Sequence, residues 1–293
     1  MVVKKHPPHF HALRDQWVKR HKKIHKDLIR KHKQSLKWVK DNSQQIIAGS
    51  AVGMLLLAHP VSASTLAQTL LPTTTPIDSA HSHSTNSLVE ELQATLPTEI
   101  SKLTTQQEAQ IATIFQSYFG INAQAELYGK RLNRSYGLIG AEQHLARYAG
   151  DTMATHFQTP EESKYASSGM APGRGAWGYF SQSENLTHED IEREKYYIAV
   201  QTFLAPGWDE NPNELYAFFK YRKMLVVNPE NGKAMVVVIG DAGPAPWTGK
   251  HLGGSPEVMS YLEHQDGSAH GPVVYFFIDD PENTIPLGPI DIR

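Results

Sequence analysis

One carboxylate in this chain stands where chemistry is usually placed. Asp241 follows the apolar run Val236-Val237-Val238-Ile239 and a single glycine, and Gly243-Pro244 follows it. An unbroken run of β-branched residues fits a strand buried on both faces. Gly-Pro then forces a turn, and the loop beyond carries Trp247. An acid at the end of a rigid strand, beside an open loop, offers one reactive group to a ligand. The competing reading is that Asp241 caps the turn by accepting backbone N–H groups. Other residues of reactive type are less well placed. Glu142, Gln143, His144, Asp151 and His156 lie close in sequence without a ligand spacing, and read more simply as a surface loop tied by local hydrogen bonds. His251, His264, Asp266 and His270 are irregularly spaced and do not resemble a metal site. Asp279 and Asp280 end an apolar run, either as a second acid pair or as a solvated strand end. No metal-ligand set and no cofactor motif is read from the chain.

The elements that must position these residues are α+β. Thr105 and Glu108 have capping-box spacing, Ile111, Ile114, Phe115 and Tyr118 share one helical face, and Gly120 sits where a helix ends. A second short helix is expected over 123–132. The glycine-rich stretch 136–151 reads as loop, and 173–180 as the first strand of a barrel. Tyr196–Phe203 is a strand. Met224–Asn228 and Lys233–Ile239 form a hairpin with Asn231-Gly232 at its tip. Ser255, Pro256 and Glu257 start a helix, and Pro272–Ile278 is the last strand. Short strands around one short helix suggest a small closed barrel.

Charge divides the chain. Residues 1–45 carry ten Lys and three Arg against three Asp, a balance of +10, whereas the remainder carries 15 basic and 27 acidic groups, a balance of −12. Such asymmetry points to a basic arm and a separate acidic body. Residues 46–63 hold an apolar segment ending in Val61-Ser62-Ala63, the small-x-small form of a signal-peptidase site. It reads as a cleaved signal or a retained membrane anchor, with the basic arm cytoplasmic and the body exported to the cell envelope. The arm, with six His among its lysines, reads as a cytoplasmic tail drawn to anionic lipid. Its few aromatics argue against nucleic acid as a partner. Residues 64–87 are a Ser/Thr/Pro-rich linker, 88–167 a helical region and 168–293 the barrel domain. The chain has no Cys, which excludes disulfides, thiol nucleophiles and Cys-ligated metals.

The order strand, Asn-Gly hairpin, strand, Asp-x-Gly-Pro turn and Ser-Pro helix resembles the double-psi β-barrels of the rare lipoprotein A type, relatives of expansins. The resemblance rests on Val227-Asn228, Asn231-Gly232-Lys233, Val236, Val238, Asp241, Gly243, Pro244 and Ser255. It implies a six-stranded double-psi barrel with a groove for peptidoglycan or another wall polysaccharide. It also implies that Asp241 is the catalytic acid of a lytic transglycosylase. In that reaction the sugar's own hydroxyl attacks the anomeric carbon, so one residue serves as acid and then base; hydrolysis normally takes two carboxylates. Trp247, Trp177, Tyr179 and Trp208 are then the aromatic faces for sugar rings, with barrel core the alternative for Trp177 and Tyr179. The chain departs from the family pattern at Ala242, where an Arg is usual, and at Gly253-Gly254, where Asp-Leu is usual. The family's His falls near Leu215 or Tyr216. These departures leave a non-catalytic, expansin-like wall-binding module as the alternative to an enzyme.

Overall fold

The computed structural model describes residues 84–264 and 270–293. The basic arm, the 46–63 segment, most of the linker and Asp266 lie outside the described residues. Among the described residues no helix is long and apolar enough to cross a membrane.

The body is α+β, built around a closed six-stranded mixed β-barrel. Its strands are β4 (Tyr136–Ala141), β5 (Tyr197–Val200), β6 (Lys223–Val227), β7 (Ala234–Ala242), β8 (Leu252–Gly254) and β9 (Gly271–Ile278). They pair in the ring β9-β4-β8-β5-β7-β6, and β6 closes it back onto β9. The β4/β8 and β5/β7 pairs are parallel; the other four contacts are antiparallel. Short β1 (Ala123–Gln124) and β10 (Gly288–Ile290) extend the sheet from β9 and β7, and β2 (Glu126–Leu127) pairs with β3 (Lys130–Arg131).

Strand alternation explains why the apolar runs are unbroken. Met224, Val226, Met235, Val237, Ile239, Val273, Tyr275 and Phe277 point into the barrel and pack with Ile139, Ile198 and Leu252. Their neighbours Leu225, Val227, Val236, Val274, Phe276 and Ile278 point outward, yet are equally buried. Helices α1 (Thr85–Thr95) and α2 (Thr105–Phe119) cover that outer wall with Leu88, Leu92, Ile111, Phe115 and Tyr118. Each such side chain contributes roughly 1.5–3 kcal/mol on full burial, so docking rather than propensity holds these helices. The section before residue 120 is therefore a wall brace.

Several local expectations shift by a residue or change type. The capping box of α2 uses Thr104 and Gln107, one residue before the expected pair, and Gly120 ends the helix at φ 65°. The expected helix over 123–132 is instead three short strands, turned at Tyr128-Gly129, where both φ angles are positive. Residues 173–180 form no strand but a loop with one bridge between Gly175 and Gly178. The first barrel strand is Tyr136–Ala141, in the stretch read as loop. Its glycines have a steric reason: a Cβ on Gly137 would meet the His251 Cβ at 2.8 Å, and one on Gly140 the Lys250 Cδ at 2.5 Å. A strand crossed this closely by neighbouring side chains needs glycine. Helix α3 (Pro160–Ser163) is one short turn, α4 (His188–Lys195) carries the Thr187/Asp190 capping box, and α5 spans Pro212–Phe219. Helix α6 (Pro256–Tyr261) begins at the Ser255 cap as read from sequence.

Candidate functional site

Asp241 owes its position to a bulge. Ile198 of β5 stands opposite Ile239, but the next residue, Ala199, stands opposite Asp241, so Gly240 is the extra residue in β7. A Cβ there would lie 2.6 Å from the Tyr197 Cβ, and bulges of this kind re-aim the side chain that follows. Beyond Asp241 the chain turns at Gly243-Pro244, whose peptide is cis.

The carboxyl is half-buried and asymmetrically held. Its Oδ1 accepts the N–H of Ala176 at 2.7 Å and that of Ala242 at 2.8 Å, while Oδ2 accepts none from the described residues. Burial raises the pKa of Asp241 above the ordinary aspartate range, the two amides oppose the shift, and the charge of Glu142 adds to it. The loop 173–180 is drawn to this point. Ala176 donates to Asp241 through its N–H and accepts the Tyr216 hydroxyl on its carbonyl at 2.5 Å. The Trp177 indole N–H donates to the Tyr216 carbonyl at 3.0 Å, and the two rings lie 5.3 Å apart. Tyr216 is 41% exposed and lies within Coulombic reach of Asp241.

A second carboxylate comes from β4's end. Glu142 is half-buried and pairs with Lys250 at 3.0 Å. Its Oε1 fills the space a Cβ on Gly253 would occupy, 2.3 Å away.

The remaining sequence-selected aromatics divide. Trp247 is 74% exposed, on the single helical turn Pro246–Thr248 that follows the Asp241 turn. Trp177 is buried in the barrel core cluster, and Trp208 packs half-buried against it, its indole N–H without a partner among the described residues. Tyr179 is half-buried, 5.8 Å from the Arg174 guanidinium. Asp280 anchors the turn after β9: Lys223 Nζ donates to it at 2.7 Å, and the amides of Thr284 and Ile285 cap it. Burial alone would raise its pKa, but these donors bring it to about 2. Asp279 accepts the Tyr128 hydroxyl at 2.7 Å. His251 accepts the Leu138 N–H on Nδ1 at 2.9 Å, and burial, with the charge of Arg134, lowers its pKa.

A separate polar cluster is sealed inside the long connection between β4 and α4. Of the residues read as a surface loop, His144, Asp151 and His156 are buried, and Glu194 of α4 and Arg147 join them. Arg147 grips Glu194 Oε2 through Nε at 3.1 Å and a terminal nitrogen at 3.0 Å, and donates to the His156 carbonyl at 2.7 Å. Burial opposes ionisation of Glu194, yet the two imidazoles and Arg147 hold its pKa near 2. Sequence reasoning missed Glu194 because it lies 38 residues beyond His156, on a helix whose other residues are solvated; neither spacing nor periodicity marks it.

No protein-family model, curated protein or solved structure matches the chain.

Proposed function

We propose that this is an exported, wall-associated protein that cleaves peptidoglycan by lytic transglycosylation, with Asp241 as acid and then base. The observation that carries the reading is the raised pKa of a half-buried carboxyl whose Oδ2 is left to a ligand. Protonated Asp241 gives its proton to the glycosidic oxygen as the bond to the anomeric carbon breaks. The sugar's own hydroxyl then bonds to that carbon and returns a proton to the carboxylate, so Asp241 ends as it began. Behind burial, the Coulombic effect of Glu142 on Asp241 adds to the preference for its protonated form. The exposed Trp247 and Tyr216 supply faces for sugar rings. The two parallel strand pairs, the Asn-Gly hairpin and the Ser255-capped helix are in keeping with a double-psi arrangement of the barrel. Residues 46–63 would deliver the body across the membrane or hold it there.

The expansin-like, non-catalytic reading has one observation in its favour. Two backbone amides on Oδ1 stabilise the ionised carboxylate, as a structural cap requires. Digestion of purified sacculi with the full chain and with Asp241→Asn separates the two. Anhydro-muropeptides from the wild type alone establish the enzyme. Equal binding of both to sacculi with no soluble products leaves the binding module, and no binding by either removes the glycan reading.

A further inference from the structure

We propose that His144, His156 and Glu194 form a structural zinc site that ties the long β4–α4 connection to helix α4. The argument starts from the imidazole nitrogens. His156 Nδ1 faces Asp151 Oδ2 at 2.7 Å, and its Nε2 faces Glu194 Oε2 at 3.1 Å. His144 Nε2 faces the Tyr165 carbonyl at 3.3 Å, and its Nδ1 faces Glu194 Oε1 at 3.3 Å. All four partners are acceptors. A neutral imidazole has one N–H, so each ring turns a lone pair toward an oxygen unless something positive lies between. One extra proton on each ring, or a single divalent cation, meets that requirement.

The distances favour the cation. A charged N–H···O bond is about 2.7–2.9 Å, and both His144 contacts are longer. Four ligands at about 2.0–2.1 Å around zinc are separated by roughly 3.3 Å, which is the spacing between His144 Nδ1 and Glu194 Oε1; His156 Nε2 stands 3.1 Å from the other oxygen of the same carboxylate. One ligand atom from each of the three residues lies within 4.8 Å of the others. The outer contacts also suit a metal. A carboxylate on the far nitrogen of His156 and a carbonyl on that of His144 fix the tautomers that leave the inner nitrogens free to ligate. Two imidazoles and a carboxylate are a zinc donor set. Glu257, the second residue of α6, is not one of the three whose ligand atoms converge, but it is 5% exposed and its Oε2 has no hydrogen-bond partner among the described residues. It lies within Coulombic reach of both His144 and Glu194. Arg147 occupies Glu194 Oε2, and Leu145 N–H reaches Oε1 at 3.1 Å, which leaves Oε1 a lone pair for the metal. Because the three residues are sealed from solvent, the site is closed and its role is structural.

The test uses the full chain, stripped with chelator and titrated with Zn(II) and, separately, Co(II). The expected result is one tightly bound ion per chain, the visible absorption of tetrahedral Co(II), and a rise in Tm on zinc addition. Asp151→Asn, which preserves side-chain shape, should weaken binding about 10–100-fold, and His156→Ala more. The histidines of the basic arm provide an internal control: binding that is unchanged in both variants belongs to them and overturns the site. If His156→Ala fails to fold, zinc-edge X-ray absorption of the wild type and Asp151→Asn decides. Imidazole scattering from two ligands, weakened in the variant, supports the site. Oxygen-only coordination, or no bound zinc, overturns it.

Discussion

Asp241 and Glu194 are both carboxylates withdrawn from water, yet their proton affinities move in opposite directions. Burial raises both. Glu194 meets Arg147 and two imidazoles and ends near 2; Asp241 meets two amide dipoles and the like charge of Glu142, and burial wins. At Glu194 the hydrogen bonds from His144 and His156, with the charges of His156 and Arg147 behind them, outweigh desolvation, whereas the two amides at Asp241 do not. The difference separates the two: Glu194 holds charge and fastens elements, and Asp241 keeps the raised proton affinity on which the proposed acid role rests.

The largest expected effect comes from breaking the sealed region. Arg147→Met leaves Glu194 buried with one cation fewer, and removing one partner of a buried pair costs about 3–5 kcal/mol. Chemical denaturation should show that loss, or the variant should fail to fold. Next comes Asp280, a surface-proximal carboxylate held as Glu194 is held, by a cation and amides. Its folded pKa lies near 2, against 3.8 for the unaltered group. The depressed value means its contribution is present above about pH 4 and is lost as pH falls toward 2. Asp280→Asn should therefore destabilise by about 1.5–3 kcal/mol at neutral pH, with the difference from wild type shrinking as the solution is acidified through that window. Asp241→Asn is expected to cost about 1 kcal/mol or less, because the amide oxygen can still accept the Ala176 and Ala242 N–H groups. A small stability change with complete loss of sacculus products would set the two regions apart most clearly.

How much of this was legible in the sequence depended on whether local chemistry or distant contacts decided each element. The hairpin at Asn231-Gly232, the strand ending at Asp241, the Ser255 cap and the apolar face of α2 follow from residues within a few positions of one another. Strand β4 did not, because Gly137 and Gly140 are excused by His251 and Lys250, side chains more than 100 residues away. Strand β8 hides for a related reason: the Gly253 position is kept bare for the Glu142 carboxylate. Residues 123–132 were expected to form a short helix, but the positive φ of Tyr128 and Gly129 turns them back. At the candidate site, Asp241 and the exposed Trp247 were visible in sequence. Tyr216 and Glu142 were not identified as its neighbours, since the tertiary fold alone brings α5 and the end of β4 to the same bulge.

The comparison is sharpest at the level of single protons. Carboxyl carbon NMR, following Asp241 and Glu194 through a pH titration of the intact protein, tests it directly. The account predicts that Asp241 titrates above the ordinary aspartate value and Glu194 well below the ordinary glutamate value. It also predicts that Glu142→Gln lowers the Asp241 midpoint slightly while leaving Glu194 in place. An Asp241 that titrates at or below 3.8 in the wild type would contradict the account, since such a group would be a turn cap and not a proton donor.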